Sequence, residues 1–157
     1  DKVMNQDIYV NHKLIPEEMI GQEMQYHPAQ SKQEAWQKAA EALVLRELLL
    51  QEAYKQKVAA VDNDEAQLID DLLAQMIVVP PAEQAECVEF YQAQAHRFID
   101  GQGQNLAYAD VEPLIKVELA ARAGRQALNV YLTSLVAQSD LKGLVMGKAW
   151  LPVRMMS

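Results

Sequence analysis

Ser31 and Glu34 stand three residues apart just ahead of a long apolar series, the Ser-x-x-Glu spacing of a capping box. Behind them Trp36, Ala40, Leu43, Val44, Leu48 and Tyr54 recur at helical intervals with neither glycine nor proline between them. That pattern predicts one helix from Lys32 to about Lys57, and a helix of that length sets the frame of an all-α domain.

The flanking segments extend the frame. Asp7-Ile8-Tyr9-Val10-Asn11 alternates as a short strand does, and Asn11-His12-Lys13 can turn it into Leu14-Ile15. Pro16 suits the first position of a helix, with Glu17 and Glu18 complementing its dipole and an end near His27-Pro28. Asp62 or Asp64 can cap a third helix carrying Leu68, Ile69, Leu72, Leu73 and Met76, which Pro80-Pro81 closes. A fourth presents Cys87, Phe90, Tyr91 and Phe98 on one side. Asp110 can cap a fifth, from Val111 to about Ala137, with the apolar series Leu114, Val117, Leu128, Tyr131, Leu132 and Leu135. A short extended piece, Leu141 to Met146, then leads into a tail, 147–157. Burial is expected at Leu43, Leu48, Leu72, Phe90, Leu128 and Leu132.

Composition narrows function by exclusion. Half of the residues are hydrophobic and the formal charge is −8, which repels a phosphate backbone and disfavours nucleic acid and acidic membrane surfaces. No apolar run is long enough to span a bilayer, so membrane insertion is not expected. The single cysteine, Cys87, rules out an intramolecular disulfide framework and reads as a small core residue. His12, His27 and His96 have no partner at a metal-ligand spacing, so neither a metal nor any other cofactor is expected, and no catalytic residue is assigned. Asp62-Asn63-Asp64 resembles the start of a calcium loop but lacks the glycine and the terminal glutamate at the required offsets.

One stretch breaks the helical character, Phe98 to Val111, with Gly101-Gln102-Gly103 at its centre. It follows a helix and lacks both the third glycine of a dinucleotide fingerprint and the Gly-Lys-Ser/Thr of a phosphate loop. Neither side holds an obviously separate core. The stretch is therefore expected to be a connection inside one domain, 1–146, made of an N-terminal part (1–98), a joint (99–107) and a closing helix and strand (108–146).

Several segments resemble a known family. VNHKLIPEEMIGQEM, EALVLRELLLQEAYKQ, VVPPAEQAECVEFYQAQAHRF and the run from Tyr108 to Met146 are similar to the helical domain of parvulin-type (PpiC/SurA-like) peptidyl-prolyl isomerases and periplasmic chaperones. EMQYHPA, Glu23 to Ala29, is most similar to the branch linked with nitrogen fixation and respiratory nitrate reduction. In ordinary members a complete parvulin domain lies between the equivalents of Phe98 and Tyr108. Here the nine residues Ile99 to Ala107 reach only about 30 Å even when extended, so the resemblance implies a joint from which the isomerase has been lost, in nature or by design.

The resemblance implies a SurA-like helical chaperone domain: a non-catalytic module that binds unfolded or partly assembled polypeptides, either generally or as an assembly factor for one partner. The alternative is a divergent peptidyl-prolyl isomerase, or a fragment of one, with a pocket built from His12, His27 or His96. Met19, Met24, Trp36, Met76, Phe90 and Tyr91 are the candidate peptide-binding residues, since methionine and aromatic side chains form adaptable apolar surface. A homodimer exchanging the long fifth helix is expected if the joint runs extended. The expected location is cytoplasmic, or periplasmic if a leader precedes Asp1 in the native chain.

Overall fold

In the computed structural model, which describes residues 7–59 and 64–147, the chain opens with a β-hairpin. Strands β1 (Ile8–Val10) and β2 (Lys13–Ile15) pair antiparallel with Ile8 opposite Ile15. Asn11 and His12 both take positive φ, 51° and 75°, as a two-residue type I′ turn requires. Strand β3 (Leu141–Lys142), in the extended piece expected over 141–146, pairs with the other edge of β1, giving a three-stranded sheet in the order β2-β1-β3. Gly143 follows at φ 85°, where a Cβ would collide with the Asp7 carbonyl. Only glycine fits that approach.

Pro16 stands just outside α1 (Glu17–Glu23) as its extended N-cap, and a 3₁₀ turn at Met24–Tyr26 carries the helix to His27. Helix α2 (Lys32–Lys55) begins where the sequence predicts, the Ser31 hydroxyl accepting from the Glu34 amide at 3.1 Å. For α3 (Glu65–Met76) the Asp64 carboxylate accepts from the Gln67 amide at 3.1 Å. The alternative cap Asp62 lies outside the described residues, as does the tail beyond Gly147. Helix α4 (Gln84–Ala93) carries a capping box between Glu83 and Glu86. Helix α5 (Tyr108–Gln138) starts three residues before Val111. Asp110 thus lies in its first turn, and Pro113 lies inside the helix, where its missing N–H leaves the Ala109 carbonyl without a helical donor.

These elements divide into two compact units. The first comprises the described residues up to Met76 with those from Leu128 onward; the second is Ile77–Ala127. The sequence predicts a single domain with a joint at 99–107, whereas the divisions fall at residues 76/77 and 127/128, and the joint lies inside the second unit. The reason is aromatic packing: Phe90 and Phe98 before the joint share a core with Val111 and Ile115 after it.

In the first unit α2 is buried around most of its circumference. Trp36, Ala39, Ala40, Leu43, Val44 and Leu48 pack with Ile8, Val10, Ile15 and Ile20. Leu49, Leu50 and Ala53 pack with Leu68, Leu72 and Leu132. A helix enclosed in this way carries apolar residues on all sides instead of one stripe. Three of its polar side chains, Gln37, Glu41 and Gln51, reach the backbone of residues 10 and 145–147. The Gln51 amide donates to the Val10 carbonyl (3.1 Å) and to Glu47 (2.9 Å), and its oxygen accepts from the Asn11 side chain (2.8 Å). The Asn11 side-chain oxygen in turn accepts from the Asp140 amide at 2.7 Å. One turn from the start of α2, the Gln37 amide donates to the Val145 carbonyl (2.9 Å) and to Glu41 (2.9 Å), while Glu41 accepts the Gly147 amide at 2.7 Å.

The second unit is built on stacked rings. Tyr91 stacks on Phe98 at 5.6 Å between centroids and meets Tyr108 edge-on at 5.5 Å. The guanidiniums of Arg97 and Arg122 lie 5.4 and 5.1 Å from the centre of Phe90, a favourable cation–π distance, and both bond the Glu118 carboxylate. The joint folds back on itself: Ile99 bridges Asn105, and the Leu106 amide donates to the Phe98 carbonyl at 2.8 Å. Its amides are aimed inward, those of Gln102 and Gln104 donating to the Asp100 carboxylate at 2.8 and 2.9 Å.

Two measurements test this packing. Five of the six expected core positions are buried and Leu128 is half-buried, but Leu114 and Val117 are 67 % and 69 % exposed, because α5 turns Val111 and Ile115 inward instead. Leu72→Ala is therefore expected to cost about 2–5 kcal/mol in urea denaturation and Leu114→Ala less than about 0.5 kcal/mol. Glu118 has its pKa lowered, first by its hydrogen bonds from Arg97 and then by the nearby positive charges. A carboxyl held lower in the folded state contributes stability above the ordinary glutamate pKa of about 4.3 and loses it as the pH falls through the folded value. The stability difference between the native chain and Glu118→Gln should accordingly be present at pH 6 and vanish toward pH 3, read by tyrosine fluorescence in urea. A constant difference across that range would remove the charge argument.

Candidate functional site

Helix α1 and the 3₁₀ turn after it present two faces to two environments. Ile20 and Met24, four residues apart, point into the core against α2. Met19, Gln22, Glu23 and Tyr26 lie on the adjoining face, where, with Gln25 and Leu43, they line an open cleft of about 380 Å³. Met19 is 40 % and Tyr26 69 % exposed, an adaptable thioether beside a ring with a polar tip. Tyr26 stands seven positions after Met19, across the end of α1 and the 3₁₀ turn.

The electrostatics of this face are one-sided. Between Pro16 and Tyr26 the sequence has Glu17, Glu18 and Glu23 and no lysine or arginine. Glu17 and Glu18 are exposed, and Glu23 holds the His27 ring at 2.8 Å. The cleft lining is mixed, with Met19, Leu43 and the Tyr26 ring beside Gln22, Glu23 and Gln25, and its one carboxylate, Glu23, complements a basic group next to an apolar side chain.

The six candidate binding residues do not form one site. Met19 lines the cleft, and Met24 is half-buried behind it. Trp36 and Phe90 are core residues, 7 % and 8 % exposed, because each ring sits on the helix face that its own unit buries. Met76 is exposed at the end of α3, away from the cleft lining. Tyr91 belongs to the ring stack of the second unit and donates its hydroxyl to the Leu106 carbonyl at 2.5 Å. As cleft-lining residues Tyr26, Gln22 and Gln25 have no counterpart in the sequence reading, and Leu43, expected as core, is buried at the cleft floor. The spacing of seven from Met19 to Tyr26 was the available signal, obscured by the following His27-Pro28.

The other residues singled out for chemistry lie apart from one another. His12 is exposed on the hairpin turn, 3.7 Å from Asp140, and His96 is exposed in a 3₁₀ turn of the second unit. Cys87 is fully buried. Burial pushes the Tyr108 phenol up to about 12, with Glu112 adding to the effect, and burial likewise raises Tyr131. Among the described residues no group of three or more His, Cys, Asp or Glu side chains is placed to hold a metal ion, and no helix is long and apolar enough to cross a membrane.

Comparison with protein-family models, with curated proteins and with solved structures returns no match for this chain.

Proposed function

We propose that this chain is a polypeptide-binding module of the chaperone or assembly-factor type, non-catalytic and related to parvulin-type foldases through its SurA-like helical part. The observation that carries the reading is the α1 cleft, where Met19 and Tyr26 remain exposed beside the Glu23 carboxylate. Exposed methionine and tyrosine on one helix face are suited to apolar segments of varied sequence, since a flexible thioether adjusts to different side chains. The substrate class is an unfolded or partly assembled polypeptide with apolar residues next to lysine or arginine.

Fluorescence anisotropy with a permanently unfolded, reduced and carboxymethylated test protein checks the cleft. Met19→Ala combined with Tyr26→Ala is expected to weaken binding about tenfold, the equivalent of roughly 1.4 kcal/mol. A short apolar peptide flanked by lysines should bind more tightly than the same peptide flanked by glutamates, and added salt should narrow the gap. Equal binding by the double variant and the native chain would remove the cleft from the account.

Isomerase activity is tested separately. A proline-containing peptide should relax at its uncatalysed rate, tens to hundreds of seconds, with or without the protein. A saturable acceleration abolished by changing His12, His27 or His96 would establish the isomerase alternative.

A further inference from the structure

His27 follows the last residue of the α1 cleft and stands directly before Pro28. A residue before proline is pushed out of the helical region, and His27 accordingly ends the 3₁₀ turn at φ −128° and ψ 78°. From there its ring reaches four residues back, Nε2 lying 2.8 Å from Oε2 of Glu23, with the two side chains only 20 % and 28 % exposed. A carboxylate accepts and does not donate, so Nε2 carries the hydrogen and a second proton has to enter at Nδ1. Among the described residues neither Nδ1 of His27 nor Oε1 of Glu23 has a hydrogen-bond partner. Glu23 is also the one carboxylate of the cleft lining.

We infer that His27 sets the charge preference of the α1 cleft by acting through Glu23. With the ring neutral, Glu23 is an anion whose Oε1 is open to a basic client group. With the ring protonated, an imidazolium 2.8 Å away cancels that charge and the preference for lysine or arginine is lost. Histidine changes charge between about pH 5 and 8, so clients with basic flanks are held above that window and held less tightly below it, while the apolar contacts of Met19 and Tyr26 are unaffected. The inference rests on the cleft as the client site. Other charged groups around the turn do not replace the pair. Among the described residues Glu23 is the one acidic group at ion-pair distance from the ring; Glu17 and Glu18 are exposed on α1, and Lys32 is exposed at the start of α2. On α2, which packs against α1 and the 3₁₀ turn, Lys38 pairs with Glu34, Glu41 bonds Gln37 and the Gly147 amide, Glu47 pairs with Lys13 and Arg46 with Glu65.

The test titrates the full chain against two acetylated, amidated, rhodamine-labelled peptides that share one apolar centre and are flanked by lysines or by glutamates, at fixed ionic strength. The preference for the lysine peptide should fall about threefold between about pH 7.5 and pH 5.5, the worth of a partly exposed ion pair. His27→Gln keeps an amide donor for Glu23 but takes up no proton, so it should show the native preference at the higher pH and the same preference at the lower. His12→Gln with His96→Gln should leave the fall as it is. A native preference that does not change with pH, a fall that survives His27→Gln, or one that disappears with His12 and His96 overturns the inference. Should His27→Gln fail to fold, the native chain gives the answer alone: by linkage, a ligand that favours the neutral ring expels its proton. Calorimetry near pH 6.5 in buffers of different ionisation enthalpy should show proton release with the lysine peptide and none with the glutamate peptide, and equal release overturns the inference. Absence of a lysine preference at the higher pH overturns it too, and the cleft reading falls with it only if Met19→Ala with Tyr26→Ala leaves binding unchanged.

Discussion

A helix enclosed on nearly every side has to send its polar side chains to groups inside the protein, and in the first unit this constraint on α2 organises everything else. Two Gln–Glu pairs four residues apart, Gln37 with Glu41 and Glu47 with Gln51, are set in opposite order along it. Each pair satisfies itself first and then a stretch of chain from elsewhere: Gln51 reads Val10 and Asn11 of the hairpin, and Gln37 and Glu41 read Val145 and Gly147. Buried amide and carboxylate groups are costly when left unpaired. The positions of four side chains on one helix therefore select where both ends of the described chain are held. Asn11 joins the two ends, since it bonds Gln51 through its amide nitrogen and the Asp140 backbone through its oxygen.

The second unit solves the same problem with charge and rings. Phe90 lies under two guanidiniums that share the Glu118 carboxylate. The acid holds the two cations where they cover the ring, and the ring gives their planar faces something to lie on. Next to this cover the joint closes on itself through Asp100, whose carboxylate takes the loop amides. The Gln102 and Gln104 amides of this glycine-bearing loop are satisfied by its own carboxylate. That explains its polar, glycine-punctuated composition without a ligand.

What the sequence disclosed divides along the range of the interactions involved. Ser31 and Asp64 as caps, the Asn11-His12 turn and the proline stop after α3 all act within four residues, and all are legible. The start of α5 is not, because Asp110 reads as the cap of a helix beginning at Val111, while the helix starts at Tyr108, whose ring packs on Tyr91. The buried face of α5 is equally hidden. Leu114 and Val117 are as apolar as Val111 and Ile115, and only contact with Cys87, Phe90 and Phe98 decides which pair turns inward. The Arg97–Glu118 bond spans 21 residues and the Asn11–Asp140 bond 129, separations at which no pattern in one sequence signals a pair. Candidate binding residues suffered for the same reason. Methionine and aromatic types mark apolar surface, but whether that surface faces water is a property of the partner helix.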